Sequence, residues 1–237
     1  MFNLKLYIKN SSLYAKIKFA LGRSEFGKVW QGKPIDWYYS QWDNLPLLHK
    51  NFVKYFDDRK NEIRTVLDLG CGAANYPLLY PQMFENKKYV GIDISETAID
   101  HCKKNSPFEF FSGDFLKMNL IEEFSKRNLP KEYDLVYAHG VIDNVYDIEL
   151  FLRIFLKCCK KYGYIHSCRG YHPNLEKHKM NWRDEDHCYY NDISIKQIKK
   201  FFLNNGLTQD EFNIRLQETG INGAQPHVVF EIIRKSG

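Results

Sequence analysis

Between residues 63 and 168, short apolar runs alternate with stretches of helical period. The runs cover Thr65–Leu69, 89–92, 108–111, 135–138 and 164–167. Each is four or five residues long and dense in aliphatic and aromatic side chains, the pattern of strands buried on both faces. Between them, apolar positions recur every three or four residues over 96–104 after Ser95, over 120–126 after Asn119, and over 148–161 before Gly163. Ser and Asn at those starts are helix-capping residues. Strands alternating with helices require right-handed crossovers, and they predict an α/β, doubly wound, mostly parallel sheet.

Other patterns flank this core. Ser11 and Ser12 precede a helical face of Leu13, Ile17, Ala20 and Leu21, and a second face follows Pro46 through Leu48, Phe52, Val53 and Phe56. Pro46 suits a first helical turn, where its missing N–H has no partner to lose. Residues 169–192 form a polar loop too long for an ordinary connector. Ser194 with Gln197 then reads as a capping box, Asn205-Gly206 as the helix stop, and 212–216 and 228–233 as two last strands. The expected division is a helical cap over 1–62 and a main domain over 63–237, with 169–192 as its inserted acceptor loop.

The chemistry concentrates after the first strand, in Val66-Leu67-Asp68-Leu69-Gly70-Cys71-Gly72-Ala73-Ala74-Asn75. Gly70 and Gly72 allow a sharp turn and close approach of a ligand. A G-x-G alone also fits a dinucleotide loop or a plain tight turn. The dinucleotide pattern needs a third glycine where this chain has Asn75. Asp68 would repel a pyrophosphate but suits an ammonium or sulfonium; as a purely structural residue it would cap the turn. Asp93 ends the second apolar run in Val90-Gly91-Ile92-Asp93-Ile94-Ser95 and can accept from both hydroxyls of a ribose. Asp114, in Phe111-Ser112-Gly113-Asp114-Phe115, can accept from an adenine amine. Each acid alone is an ordinary turn residue. Three at successive strand ends share the sheet edge where such folds bind ligands. Pro77 and Pro81 shorten or kink the next helix.

These motifs, together with Tyr133-Asp134-Leu135-Val136, resemble those of class I S-adenosylmethionine-dependent methyltransferases over residues 63–168. The resemblance implies a seven-stranded sheet whose last strand inserts antiparallel. It implies Gly70, Cys71 and Gly72 at the methionine end of S-adenosylmethionine, with Asp68 near the ammonium. Asp93 would hold the ribose, Asp114 with Phe115 the adenine, and Ile94 is a further cofactor contact. Tyr38 and His139 are further cofactor contacts under the same resemblance. The product would be S-adenosylhomocysteine. The chain departs from the family where Ala74 replaces a frequent glycine and Asn144 a frequent histidine.

Methyl transfer to a hydroxyl gains from a tuned base. His139, at the end of the fourth run, is the first candidate, with an orienting or cofactor contact as its alternative role. Asp143 is the second, or else a helix-start residue, and His172 the third. His166 reads as a strand residue. The 169–192 loop holds Arg169, Tyr171, His172, Trp182, Arg183, Asp184, Glu185, His187 and Tyr190, a composition that suits a hydroxyl-rich acceptor such as a sugar. Spacings of six and nine residues between His172, His178 and His187 match no metal-ligand pattern, so no metal is expected. In 36–42, Trp37 and Trp42 read as packing residues and Tyr38 or Tyr39 as a cofactor lid.

Composition narrows the partners. The chain has 17 Phe, 16 Tyr and 4 Trp, and a net charge of +5. Residues 1–33 hold seven basic side chains against Glu25 alone, so the rest is close to neutral. A near-neutral active region disfavours nucleic acid, which needs basic side chains for phosphates. The fourth run ends Ala138-His139-Gly140-Val141, without the N/D-P-P-Y/F of many base-amine methyltransferases. RNA or protein methylation and a non-catalytic binding module stand as alternatives. The basic start is compatible with peripheral contact to anionic lipid, though docking on the core is favoured. The six cysteines form no C-x-x-C, and Cys158 and Cys159 adjacent in a helix suit neither a disulfide nor zinc. Reduced thiols, no apolar leader and no 18-residue apolar run make a cytoplasmic location the expectation. The acceptor and the oligomeric state are not legible.

Overall fold

The apolar runs become the strands β1 (Thr65–Leu69), β2 (Lys88–Asp93), β3 (Glu109–Ser112), β4 (Tyr133–His139) and β5 (Cys159–Ser167). Two more, β8 (Phe212–Gln217) and β9 (His227–Ile233), complete one sheet in the order β3-β2-β1-β4-β5-β9-β8. β1 to β5 run parallel, and β9 inserts antiparallel between β5 and β8. The computed structural model describes residues 26–43, 46–169, 171–183, 186–219 and 225–235. The helix expected over 13–21 lies outside the described residues.

Alternation along the strands sorts the core onto two faces. Val66, Tyr89, Leu135, Tyr137 and Tyr164 face α3 (Pro46–Asp57), whose Phe52 and Phe56 are fully buried among them. Leu67, Leu69, Val90, Ile92 and Val136 face the opposite layer, built with α6 (Leu120–Lys126), α7 (Ile148–Cys158) and α8 (Ile195–Asn204). Each fully buried Phe or Leu contributes about 1.5–3 kcal/mol of burial energy. Because α3 shares the core of the strands, this part of the segment before residue 62 is packed against the sheet. Preceding it are α1 (Lys28–Gln31) and α2 (Ile35–Asp43).

The capping signals act where the sequence places them. Ser95 Oγ accepts from Ala98 N at the start of α5 (Glu96–Asn105), and Asn119 Oδ1 accepts from Glu122 N. The prolines leave α4 (Asn75–Leu79) five residues long, followed by a 3₁₀ turn at Pro81–Phe84. The capping box at α8 is half local. Ser194 Oγ accepts from Gln197 N, but the reciprocal partner is His178, whose Nδ1 accepts from Ser194 N and whose backbone N–H donates to Gln197 Oε1.

Two expectations are corrected. The helix over 148–161 ends at Cys158, and Cys159 already pairs with Tyr133 as the first residue of β5. Helical period cannot separate a buried helix end from a buried strand start. Here Arg234 decides the boundary by donating to the carbonyls of Leu156 and Cys159 at 3.2 and 2.7 Å. All six cysteines are free thiols. The 169–192 loop also carries an antiparallel strand pair, β6 (Trp182–Arg183) against β7 (Cys188–Tyr189). Asn191 pins it by donating to the carbonyls of Ile142 and Val145. Among the described residues no helix is long and apolar enough to cross a membrane.

Candidate active site

The carboxyl ends of β1, β2 and β4 open into a cavity of about 430 Å³. Its floor is the loop after β1. Gly70 and Gly72 both have positive φ, +81° and +52°, so the chain doubles back without a Cβ in the way. The N–H groups of Gly70 and Cys71 donate to the carbonyl of Ile92, at 2.7 and 3.0 Å, and tie the loop to β2. A Cβ at Gly72 would lie 2.9 Å from the Tyr38 ring, which therefore sits directly over the turn.

Asp93 ends β2 as a hub. Its Oδ2 accepts from Gly72 N and its Oδ1 from Ser95 N, both at 2.8 Å. Burial pushes its carboxyl up, and those N–H groups pull it back. Asp68 is buried beneath the loop and accepts from Tyr89 Oη at 2.7 Å. Desolvation raises its carboxyl to about 7 despite the tyrosine hydrogen bonds. Asp114 accepts from Leu116 N at 3.1 Å, has Lys117 Nζ at 3.6 Å, and is also raised by burial. Phe115 lines the wall beside it.

Helices α1 and α2 close the cavity from above. Trp30 O accepts from Tyr38 Oη and Ser95 Oγ, while Gln31 bridges Ile94 O and Glu96 N. Asn75 Nδ2 holds the carbonyl of Tyr38. The Trp37 ring packs edge-on against Tyr38, under Lys33.

At the far end stands His139, ringed by Phe52, Tyr76, Tyr137 and Tyr164 with centroids 4.8 to 5.5 Å away. Both its ring nitrogens are buried without a hydrogen-bond partner. Burial, aided by His49, drives its pKa down to about 3, so the imidazole is neutral. Such a ring is poor at storing a proton but accepts a hydrogen bond well.

Every residue expected to touch the cofactor lines this one cavity: Tyr38, Asp68, Gly70, Cys71, Gly72, Asp93, Ile94, Asp114, Phe115 and His139. Two expected catalytic residues do not. Asp143 is fully buried and accepts from Ser167 Oγ, Cys168 N and Cys168 Sγ at 2.6, 2.8 and 3.3 Å. It ties the loop after β4 to the end of β5, with no face toward the cavity. Nor does it start α7, which Asp147 caps. His172 lies beside Asp192, 3.6 Å away, outside the cavity lining. Among the described residues of the 169–192 loop, Asp186 and Tyr190 reach the cavity. Arg169 and Arg183 stack on the Tyr190 ring instead, at 4.8 and 4.1 Å. Among the described residues no cluster of three or more His, Cys, Asp or Glu could hold a metal ion.

Sequence reading missed Trp30, His49, Tyr76 and His166 in the lining. His49 and Tyr76 sit on different helices and meet at 3.1 Å, which no local motif announces. His166 pairs with His139 across β4 and β5, a neighbourhood visible only once the register is known.

Residues 60–213 match the family described as methyltransferase domain. A pavine N-methyltransferase from Thalictrum flavum subsp. glaucum is 29% identical over 113 residues, covering 44% of this chain and 30% of that protein. The chain thus spans less than a third of the curated relative it matches. Among solved structures, a SAM-dependent methyltransferase from Archaeoglobus fulgidus superposes with TM-score 0.53 at 15% identity, covering 83% of this chain and 99% of that one. The plantazolicin methyltransferase BpumL, in complex with a desmethyl analogue and SAH, gives 0.59 at 14%, covering 94% and 98%. At these identities the two structures share the fold.

Proposed function

The chain belongs to the methyltransferase-domain family of S-adenosylmethionine-dependent enzymes, and from that premise we propose that it moves the methyl group to an O–H or N–H of a small, flat acceptor. The carrying observation is His139: an imidazole held neutral, with both nitrogens unpartnered, inside an aromatic nest in the donor cavity. The residues fit the donor. Four carboxylates, Asp68, Asp93, Asp114 and Asp186, against Lys33 suit a cationic sulfonium with an ammonium tail, and the missing Cβ atoms of Gly70 and Gly72 leave room for the Val141 and Tyr38 side chains that line the cavity.

The bound donor supplies an activated methyl on a good leaving group. Asp68 would face its ammonium, Asp93 its ribose and Asp114 its adenine. His139 would hydrogen-bond the acceptor group at a position other than its departing proton and so aim the nucleophile's lone pair at the methyl, where alignment supplies much of the rate. The closed cap of Trp30, Tyr38 and Tyr190 would exclude water. The aromatic wall favours an acceptor with a flat apolar body over the sugar suggested by the charged loop, because most of that loop faces elsewhere. The similarity to a pavine N-methyltransferase supports placing amines in the acceptor class. The cavity's carboxylates speak against a polyanion such as RNA.

The test has two steps. Titration calorimetry with S-adenosylmethionine reads the donor site; intact folded protein that binds none ends the proposal. A panel of aromatic alcohols, aromatic amines and sugars then reads S-adenosylhomocysteine release. Turnover confined to sugars would reject the flat acceptor. With an accepted substrate, His139→Phe is expected to lower kcat by roughly 10²-fold, the effect of a lost alignment contact. His139→Gln, which keeps a hydrogen-bond acceptor, should recover part of that.

Asp68 predicts a pH dependence. Its carboxyl titrates near 7 in the free chain, and a cationic ammonium beside it would drive that value down. Donor binding then expels a proton wherever free Asp68 is protonated. Below pH 7 affinity falls by up to about tenfold per pH unit, and at pH 6 about 0.9 proton is released. Calorimetry in buffers of different ionisation enthalpy should show that release at pH 6, little of it at pH 8, and none for Asp68→Asn.

A further inference from the structure

Three histidines lie in a row on one face of the sheet, and they run from the cavity toward the surface. His139 on β4 stands opposite His166 on β5, their rings 5.7 Å apart. His166 pairs with Val229 on β9, which puts His227 diagonally beside it on the same face. The next contact is explicit. His166 Nε2 and His227 Nδ1 are 2.9 Å apart, with ring centroids at 4.9 Å. His166 is 2% exposed and lines the cavity, and its Nδ1 is buried with no hydrogen-bond partner. His227 is partly exposed.

A hydrogen bond between two imidazole nitrogens needs one protonated and one bare nitrogen. A neutral His166 has one proton to place. If it sits on Nε2 and is donated to His227, Nδ1 is left bare toward the cavity, ready to accept. Donating from His227 instead would put the proton on His166 Nδ1, in a buried site with nothing to receive it, and a buried donor without an acceptor is disfavoured. The surroundings keep the ring from holding charge: burial first, then His139, His227 and His49, all depress its basicity. A ring that cannot keep a proton is suited to passing one.

We propose that His166 and His227 form the outlet for the proton that methyl transfer displaces. The inference rests on the reading of the acceptor as an O–H or N–H nucleophile. The nucleophile's lone pair bonds to the methyl carbon while the carbon–sulfur bond breaks and its electron pair stays on sulfur. The acceptor's proton moves to His166 Nδ1, the proton on His166 Nε2 moves to His227 Nδ1, and His227 releases its Nε2 proton to solvent. After product leaves, water entering the cavity takes the proton from His166 Nδ1 while His227 returns its Nδ1 proton to His166 Nε2 and regains an Nε2 proton from solvent, which restores the starting tautomers. Charge balances, because the sulfonium's positive charge leaves as the proton. His139 orients the nucleophile, and His166 takes the proton.

Long-range ¹H–¹⁵N correlation on uniformly ¹⁵N-labelled protein, alone and with S-adenosylhomocysteine added, reads the tautomers without any acceptor. His166→Gln and His227→Gln assign the two rings. The expected result is His166 protonated on Nε2 and bare on Nδ1; a proton on Nδ1 overturns the proposal. Turnover supplies the second arm, using an acceptor from the panel. His227→Phe should lower kcat about tenfold or more with KM unchanged, and imidazole added to the buffer should restore part of the loss. An unchanged kcat, or a loss that imidazole cannot rescue, would make the pair structural only. If wild-type protein turns over no panel member, the acceptor reading fails, and the tautomer measurement still judges the relay.

Discussion

Asp93→Ala is expected to weaken S-adenosylmethionine binding about a thousandfold while leaving the chain folded. The carboxylate is the shared acceptor for Gly72 N and Ser95 N, each at 2.8 Å. Its removal leaves those donors buried and unpaired, and it removes the acceptor proposed for the ribose hydroxyls. Charged hydrogen bonds contribute about 1.5–3 kcal/mol, and an unsatisfied buried donor costs about 1–3 kcal/mol. A combined loss of about 4 kcal/mol corresponds to that thousandfold change. Global stability should fall as well, by about 1–3 kcal/mol for the donors left unpaired in the free chain, offset in part because burial already penalises the carboxylate, as its raised titration shows. Asp93→Asn keeps one acceptor oxygen and should fall between. Calorimetry gives the affinities and urea unfolding the stability. Wild-type affinity in Asp93→Ala would mean the donor does not sit on this hub.

Gly70→Ala acts on the fold. At φ +81° the new Cβ would lie 2.3 Å from Val141 Cγ2, a separation that forces a shift. Left-handed backbone costs an L-residue about 1–2 kcal/mol, and overpacking costs about 1–3 kcal/mol. A total near 3 kcal/mol should lower Tm by roughly 6–12 °C for a chain of this size. The two contributions separate in the double variant with Val141→Ala, measured against Val141→Ala alone. That comparison removes the clash and should leave only the backbone cost of about 1–2 kcal/mol. A residual near zero would show that the turn relaxes out of the left-handed region. Because Val141 also lines the cavity, donor affinity should fall in both variants.

The cavity proposed for the donor was legible because its signals are local. A short apolar run, glycines in a turn and an acid at the strand end lie within a few residues of one another, as in Asp68 to Gly72 or Ile92 to Ser95. Short-range sterics and hydrogen bonds decide such features, so ten expected cofactor contacts meet in one cavity. The acceptor half was not legible for the same reason reversed. Asp143 carries the composition of a catalytic acid, yet it serves Ser167 and Cys168, more than twenty positions away. The 169–192 loop has the side chains of a binding lid, but guanidinium stacking on Tyr190 and the anchoring of Asn191 turn most of them aside.

Amino-acid order alone determined the alternating strands and helices, the glycine turn, its three acids and the breaks at Pro77 and Pro81, because each depends on backbone torsion and period over a single turn or strand. Tertiary structure decided where α7 yields to β5, that α3 seals the sheet face, and that His49, Tyr76, His139 and His166 share one buried wall. Those outcomes depend on strand register and on desolvation by residues far away in the chain, and no local pattern encodes either.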